Sequence, residues 1–175
     1  MLFRSGVTAQ RYDGALQGER KTALRAVENG RIRVVRDDYS GSITQVHTHE
    51  LLSMLGQGYI PLVPPLAHSA DGWLNVDGDR AAAALATALG AVELVILSNV
   101  PGLYRRFGDE ASLISQVRGS ELETALGWAE GRMKRKVLGA IEALQGGVQR
   151  VRIADGRHAQ PVQRALQGGG TEFIR

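Results

Sequence analysis

Three short stretches of this 175-residue chain hold side chains that could do chemistry together. Asn75-Val76-Asp77-Gly78-Asp79 sets an amide and two carboxylates just ahead of an alanine-rich segment. Ser98 to Tyr104 follows an apolar run, where open α/β sheets place their ligands. Gly131-Arg132-Met133-Lys134-Arg135-Lys136-Val137 opens a helical pattern with four cations in five residues, from Arg132 to Lys136. Cations near a helix's positive N-terminus are unfavourable unless an anion neutralises them, and a polyphosphate is such an anion. On a helix, residues two apart diverge while residues four apart share a face. Lys134 and Lys136 therefore cannot both address one phosphate, whereas Arg132 and Lys136 can lie together. One lysine is left for chemistry and the other for the surface.

Taken singly, each stretch also has an ordinary explanation. Asn75 to Asp79 fits a turn with Asp79 as helix N-cap. The Ser98 loop fits a plain strand-to-helix connection, and the cationic cluster fits a solvated face. Phosphate chemistry needs all three part types, and their occurrence in one α/β chain favours it. Calcium chemistry is excluded at Gly78: an EF-hand register would place Trp73 at position one and Ala84 at position twelve, and neither side chain binds the ion. His47-Thr48-His49 has no trustworthy third ligand beyond the adjacent Glu50, so no metal site is expected there. Gly168-Gly169-Gly170 lacks the lysine and helix of a phosphate-binding loop and reads as a turn into the last strand.

The elements that must position these residues follow from local pattern. Thr22–Val27 and Arg31–Val35 flank Glu28-Asn29-Gly30, a hairpin signal because Asn and Gly tolerate positive φ. Arg31 and Arg33 alternate with Ile32 and Val34, which gives one basic, solvated face. A helix is predicted from about Thr48 to Gly56, a strand at Tyr59–Val63, and an alanine-rich helix from Asp79 to about Leu89, closed by Gly90. Val92–Leu97 reads as a strand buried on both faces. A long helix is predicted over about Arg132–Gln145, a second buried strand over Val148–Ala154, and a helix over His158–Leu166. Alternating strands and helices indicate an α/β protein, a three-layer αβα sandwich with a mostly parallel sheet.

Composition bounds the rest. Twenty-one Lys plus Arg against 18 Asp plus Glu give a net charge of +3, compatible with phosphate ligands or an acidic partner. Only Lys21, Lys134 and Lys136 are lysines; every other fixed cation is Arg. With no Cys there is no disulfide frame, thiol nucleophile or Cys-type zinc site. No apolar run approaches a membrane span, and the first residues lack a signal peptide's pattern, so a cytoplasmic protein is expected. No basic stretch is interleaved with stacking aromatics, which argues against nucleic acid.

Asn75-Val76-Asp77-Gly78-Asp79-Arg80-Ala81-Ala82, then Leu97-Ser98-Asn99-Val100-Pro101-Gly102-Leu103, then Met133-Lys134-Arg135-Lys136-Val137, resemble the amino acid kinase family, and within it acetylglutamate kinases. Glu19-Arg20-Lys21-Thr22-Ala23 and Asp38-Tyr39-Ser40-Gly41 are similar to the branch acting on an amino-group carrier protein. The resemblance implies an ATP- and Mg²⁺-dependent kinase that phosphorylates the side-chain carboxylate of carrier-linked 2-aminoadipate, or glutamate, in lysine and arginine biosynthesis; the alternatives are N-acetylglutamate kinase and a non-catalytic nucleotide-binding remnant. By resemblance, Lys136 stabilises the transferring phosphoryl and Asp79 holds that lysine. Asn75 binds the acceptor, while Asn99, Val100, Gly102, Leu103, Tyr104, Arg132 and Met133 contact the nucleotide. Asn99 is a departure, since the family often has Asp there. The implied partners are the acidic carrier protein, docking on the basic hairpin face, and further copies in a homo-oligomer. The implied lobes are 1–91 for the acceptor and 92–175 for the nucleotide. The family's Lys-Gly-Gly strand and Gly-Gly-Gly loop have no counterpart upstream of the hairpin, so roughly the first third of the family's length is expected to be missing. Exposed apolar sheet edges and faces, and a catalytically incomplete chain, are the expected consequences.

Overall fold

The computed structural model describes residues 8–22, 24–28, 31–35 and 38–175. Packing divides the chain into two compact units, Met1–Ala81 and Ala82–Arg175. The lobes anticipated at 1–91 and 92–175 were divided by role rather than by packing.

The first unit contains β1 (Thr8–Arg11), β2 (Leu16–Arg20), β3 (Leu24–Glu28), β4 (Arg31–Val35), β5 (Gly41–Val46), α1 (His49–Gly56), β6 (Tyr59–Leu62), β7 (Leu66–Ser69) and β8 (Gly72–Asn75). β3 and β4 form the predicted antiparallel hairpin, with Glu28 opposite Arg31. Its Asn29-Gly30 connection, and the arginine face expected to dock the carrier, lie outside the described residues. A four-stranded sheet runs β5-β2-β7-β8, and β1 pairs with β6 in parallel. Small residues set the spacing in the larger sheet: a Cβ on Gly18 would meet the Ser42 carbonyl and Ala67, and one on Gly41 would meet Leu74. Ala15, Leu16, Leu51, Ala67 and Leu74 are buried. Leu52 and Leu55 of α1 and Ile60 and Leu62 of β6 remain about half exposed, at 47–53%.

The end of β8 carries the first predicted motif. Asn75 N–H donates to the Tyr39 carbonyl at 2.7 Å, and Val76 N–H to the Pro65 carbonyl at 3.0 Å. The helix α2 (Gly78–Ala88) then starts. Its N-cap is Asp77, not Asp79: Asp77 Oδ1 accepts from the backbone N–H of Asp79 and of Arg80, both at 3.1 Å. The N-cap side chain must precede the first helical residue to reach the second and third amides, and Asp79 is already the second residue of the helix. Gly90, with φ of 62°, follows the helix as predicted.

The second unit contains β9 (Glu93–Ser98), β10 (Gln116–Val117), α3 (Leu122–Trp128), α4 (Gly131–Gln145), β11 (Arg150–Asp155), α5 (Pro161–Leu166) and β12 (Thr171–Ile174). Its sheet runs β10-β12-β11-β9; β9 and β11 are parallel, β10 and β12 are parallel, and β11 and β12 are antiparallel. The protein is α/β, as the alternating pattern indicated, and its sheets mix parallel with antiparallel pairings. Val137, Ala140, Ala143 and Leu144 recur at helical spacing and pack α4 into a core with Val148, Val151, Ile153 and Phe173. The other face of β11 carries Arg150 and Arg152, opposite Glu93 of β9 and Glu172 of β12.

Two expectations need correction. Val92–Leu97 is not buried on both faces: Val92 is 65% and Leu97 38% exposed, with only Ile96 buried. Within its own sheet β9 pairs on one side only, with β11, so an apolar run here does not mark a strand covered on every side. The last helix starts at Pro161 rather than His158, because Pro fits the first helical turn while Gln160 before it takes a left-handed φ of 55°.

Candidate functional site

The loop after β9 is fixed at both ends by glycines. Gly156, beyond β11, donates its N–H to the Ser98 carbonyl at 2.7 Å. A Cβ at Gly156 would press on Leu97 and on Ser98 at 3.3 Å. At the far end Gly102 is buried against Thr171, leaving no space for a side chain. Leu103 N–H donates to Thr171 Oγ1 at 2.8 Å, and Ile114 N–H donates to the Leu103 carbonyl at 2.9 Å.

The start of α4 is shaped by Gly131, whose φ of 51° suits glycine, and by extended Glu130, whose side chain makes no capping hydrogen bond. No acid lies in the first turn of α4. Its opening residues are instead cationic, which leaves the helix's positive end and its nearby cations both suited to an anion.

These two segments enclose one cavity of about 820 Å³. Asn99, Val100, Gly102, Leu103 and Tyr104 line it from the loop, and Arg132, Met133 and Lys136 from α4. Lys136 is half-buried, while Lys134 is exposed and absent from the lining. Asn75 and Asp79 belong to the first unit.

Sequence reasoning missed Phe107, Trp128, Glu130 and Gly156, which also line the cavity. Trp128 ends α3, and the Arg105 guanidinium sits 5.1 Å from its ring centre. Phe107 is 78% exposed at the rim. Neither aromatic belongs to a recognisable motif; only an unexplained large apolar side chain in a polar loop pointed to Phe107. Among the described residues, no three His, Asp or Glu side chains gather as a metal cage.

Beside the cavity, Arg157 grips Asp155 with Nε at 2.9 Å and Nη2 at 2.6 Å, and its backbone N–H adds a third bond at 2.9 Å. These hydrogen bonds, the side-chain ones foremost, hold the Asp155 carboxyl well below the usual carboxylate range. A carboxylate depressed in the folded state adds stability above its unfolded pKa of about 3.9 and loses it as pH falls. Asp155→Asn is therefore expected to lower the denaturant midpoint at pH 7, with the gap from wild type shrinking progressively below about pH 4. A gap that stays constant with pH would show that the pair adds nothing through charge.

Residues 2–155 match the model of the "Amino acid kinase family". The chain is 50% identical over 163 residues to a Thermus thermophilus protein named LysW-aminoadipate kinase, covering 91% of this chain and 61% of that protein. It is 47% identical over 175 residues to a protein of the same name from Deinococcus radiodurans, covering 97% and 60%. The chain thus spans about three-fifths of the length of these curated relatives. Among solved structures, it is similar to N-acetylglutamate synthase from Neisseria gonorrhoeae in complex with coenzyme A and N-acetyl-glutamate, with a TM-score of 0.80 at 28% identity, covering 98% of this chain and 39% of that one.

Proposed function

Because the chain belongs to the amino acid kinase family, we propose that it carries the nucleotide-binding machinery of a cytoplasmic, ATP-dependent kinase acting on the side-chain carboxylate of 2-aminoadipate, or glutamate, borne by an acidic amino-group carrier protein. One observation carries this reading: the loop after β9 and the first turn of α4, two motifs far apart in sequence, line a single cavity with Lys136 and Arg132 on it.

The chemistry asked of the protein is positioning and charge neutralisation. An acceptor carboxylate oxygen forms a bond to the γ-phosphorus as the bond to the β–γ bridging oxygen breaks; ADP leaves and an acyl phosphate remains. Lys136 meets the negative charge spread over the transferring oxygens. Arg132, one helical turn away, supports the same phosphates. Asn75 and Asp79 keep the roles that the resemblance implies, acceptor binding and orientation of the lysine. Mg²⁺, in this reading, would come with the nucleotide and would help to neutralise the phosphate charge. The carrier docks through opposite charge on the alternating arginines of β4, and the enzyme works as a homo-oligomer.

Calorimetric titration with ATP is expected to show one site per chain. Incubation of the full-length enzyme, with the family's N-terminal motifs in place, with ATP and carrier-linked 2-aminoadipate, followed by hydroxylamine trapping, is expected to yield the hydroxamate of the acyl phosphate. No heat with ATP would sink the nucleotide reading. Hydroxamate from free N-acetylglutamate but none from the carrier-linked acceptor would replace the substrate.

A further inference from the structure

The Gly168-Gly169-Gly170 run plays no part in the mechanism above, yet its conformation is demanding. Gly168 and Gly170 have φ of 101° and 94°, a left-handed region that glycine occupies without strain. A Cβ on Gly170 would strike the Ile153 carbonyl oxygen, and one on Gly169 would strike the Arg164 carbonyl. The run folds tightly against β11 and α5 and delivers Thr171, the first residue of β12, to a fully buried position.

Both hydrogen-bonding capacities of the Thr171 hydroxyl are used. It accepts from Leu103 N–H at 2.8 Å and donates to the Ile114 carbonyl at 2.6 Å. Leu103 closes the loop that lines the cavity. Ile114 lies on the limb that returns beside it: Tyr104 pairs with Leu113, and Arg105 N–H donates to the Ser112 carbonyl at 3.0 Å. Phe107 sits between these limbs. One hydroxyl therefore ties both limbs to β12, and Gly102 lets the backbone come close enough for it to do so.

The geometry points to Thr171 as a positioning residue for nucleotide binding. Its hydroxyl sets how deep the loop from Ser98 to Tyr104 sits, and so where Tyr104 and Phe107 face the cavity. The role rests on the nucleotide reading of that cavity. Valine has the same shape but no hydroxyl, so it strands a buried N–H on Leu103 and a buried bond acceptor on Ile114, and the loop must shift for them to find other partners.

The test compares wild type with Thr171→Val and Thr171→Ser, using Mg-ATP titration and hydrogen exchange at the Leu103 amide. Thr171→Val is expected to raise the Kd for ATP about tenfold and to speed exchange at Leu103, with β9 and β11 keeping wild-type protection. Thr171→Ser keeps the hydroxyl and is expected to restore both. If Thr171→Val loses protection throughout, Gly102→Ala displaces the same loop with the hydroxyl intact and is expected to raise Kd similarly. Faster exchange at Leu103 with unchanged Kd would overturn the positioning role and leave a purely structural one. Unchanged exchange would overturn the latch itself. A wild-type chain without ATP affinity refutes the nucleotide reading, and the positioning role with it; a response at Leu103 in that case shows that the latch exists without serving a nucleotide.

Discussion

In the full-length enzyme, with the family's N-terminal motifs in place, Lys136→Ala is expected to cut acyl phosphate formation by about 10²–10³-fold, the scale seen when one preorganised donor to developing charge is removed. Lys136 lies on the cavity wall and is half-buried, so its ammonium acts with less screening than a fully exposed charge. Val137, next along α4, fills the core, and the lysine itself does not belong to that core. The thermal midpoint should therefore hold within a few degrees of wild type. Lys134→Ala, on an exposed position of the same helix, is expected to change the rate no more than about twofold. Hydroxamate trapping on both variants, alongside thermal unfolding, checks the pair. Equal losses from the two substitutions would refute the helix-face argument, and a Lys136 variant that unfolds would reassign the residue to structure.

The second large effect concerns the charged face of β11. Arg152 is nearly buried, with its side chain 11% exposed, and it bonds Glu93 at 2.6 Å and Glu172 at 2.7 Å. Arg150, 46% exposed, reaches Glu172 at 2.8 Å and Glu93 at 3.6 Å. Removing one partner from a buried ion pair costs about 3–5 kcal/mol, because the charge left behind is uncompensated. Here both glutamates retain some solvent, at 19% and 18%, and Arg150 remains beside them. Arg152→Ala is therefore expected to cost less than the full penalty, about 2–3 kcal/mol, or roughly 5–10 °C in Tm for a chain of this size. A Tm within about 1 °C of wild type at neutral pH would show that water already screens the four charges. Glu172 neighbours Thr171, so this network also steadies the strand from which the cavity loop is held.

These two residues differ in how they were found. Lys136 stands out in the bare sequence because helix periodicity is local: four cations opening a helical pattern, and residues four apart sharing a face, need no knowledge of the fold. Arg152 does not stand out. An arginine in a run such as Val151-Arg152-Ile153 reads as strand alternation, and its partners are supplied by Glu93 and Glu172 on the two neighbouring strands.

The same division runs through the molecule. Local chemistry in the sequence determined the hairpin at β3 and β4, the alanine-rich helix with its closing Gly90, the start of α4 and the α/β class, since turn residues and periodicity act within a few positions. It also determined that the two lysines cannot share one face, while only the structure shows that Lys136 is the one lining the cavity. Only the tertiary structure decided that Phe107, Trp128 and Gly156 line that cavity, that Asp77 rather than Asp79 caps α2, and that β9 leaves Val92 and Leu97 open. Thr171 is the extreme case: its hydroxyl meets an amide 68 residues away in sequence. Contacts of that span are made by sheet register and close backbone approach, and no pattern confined to neighbouring residues encodes them.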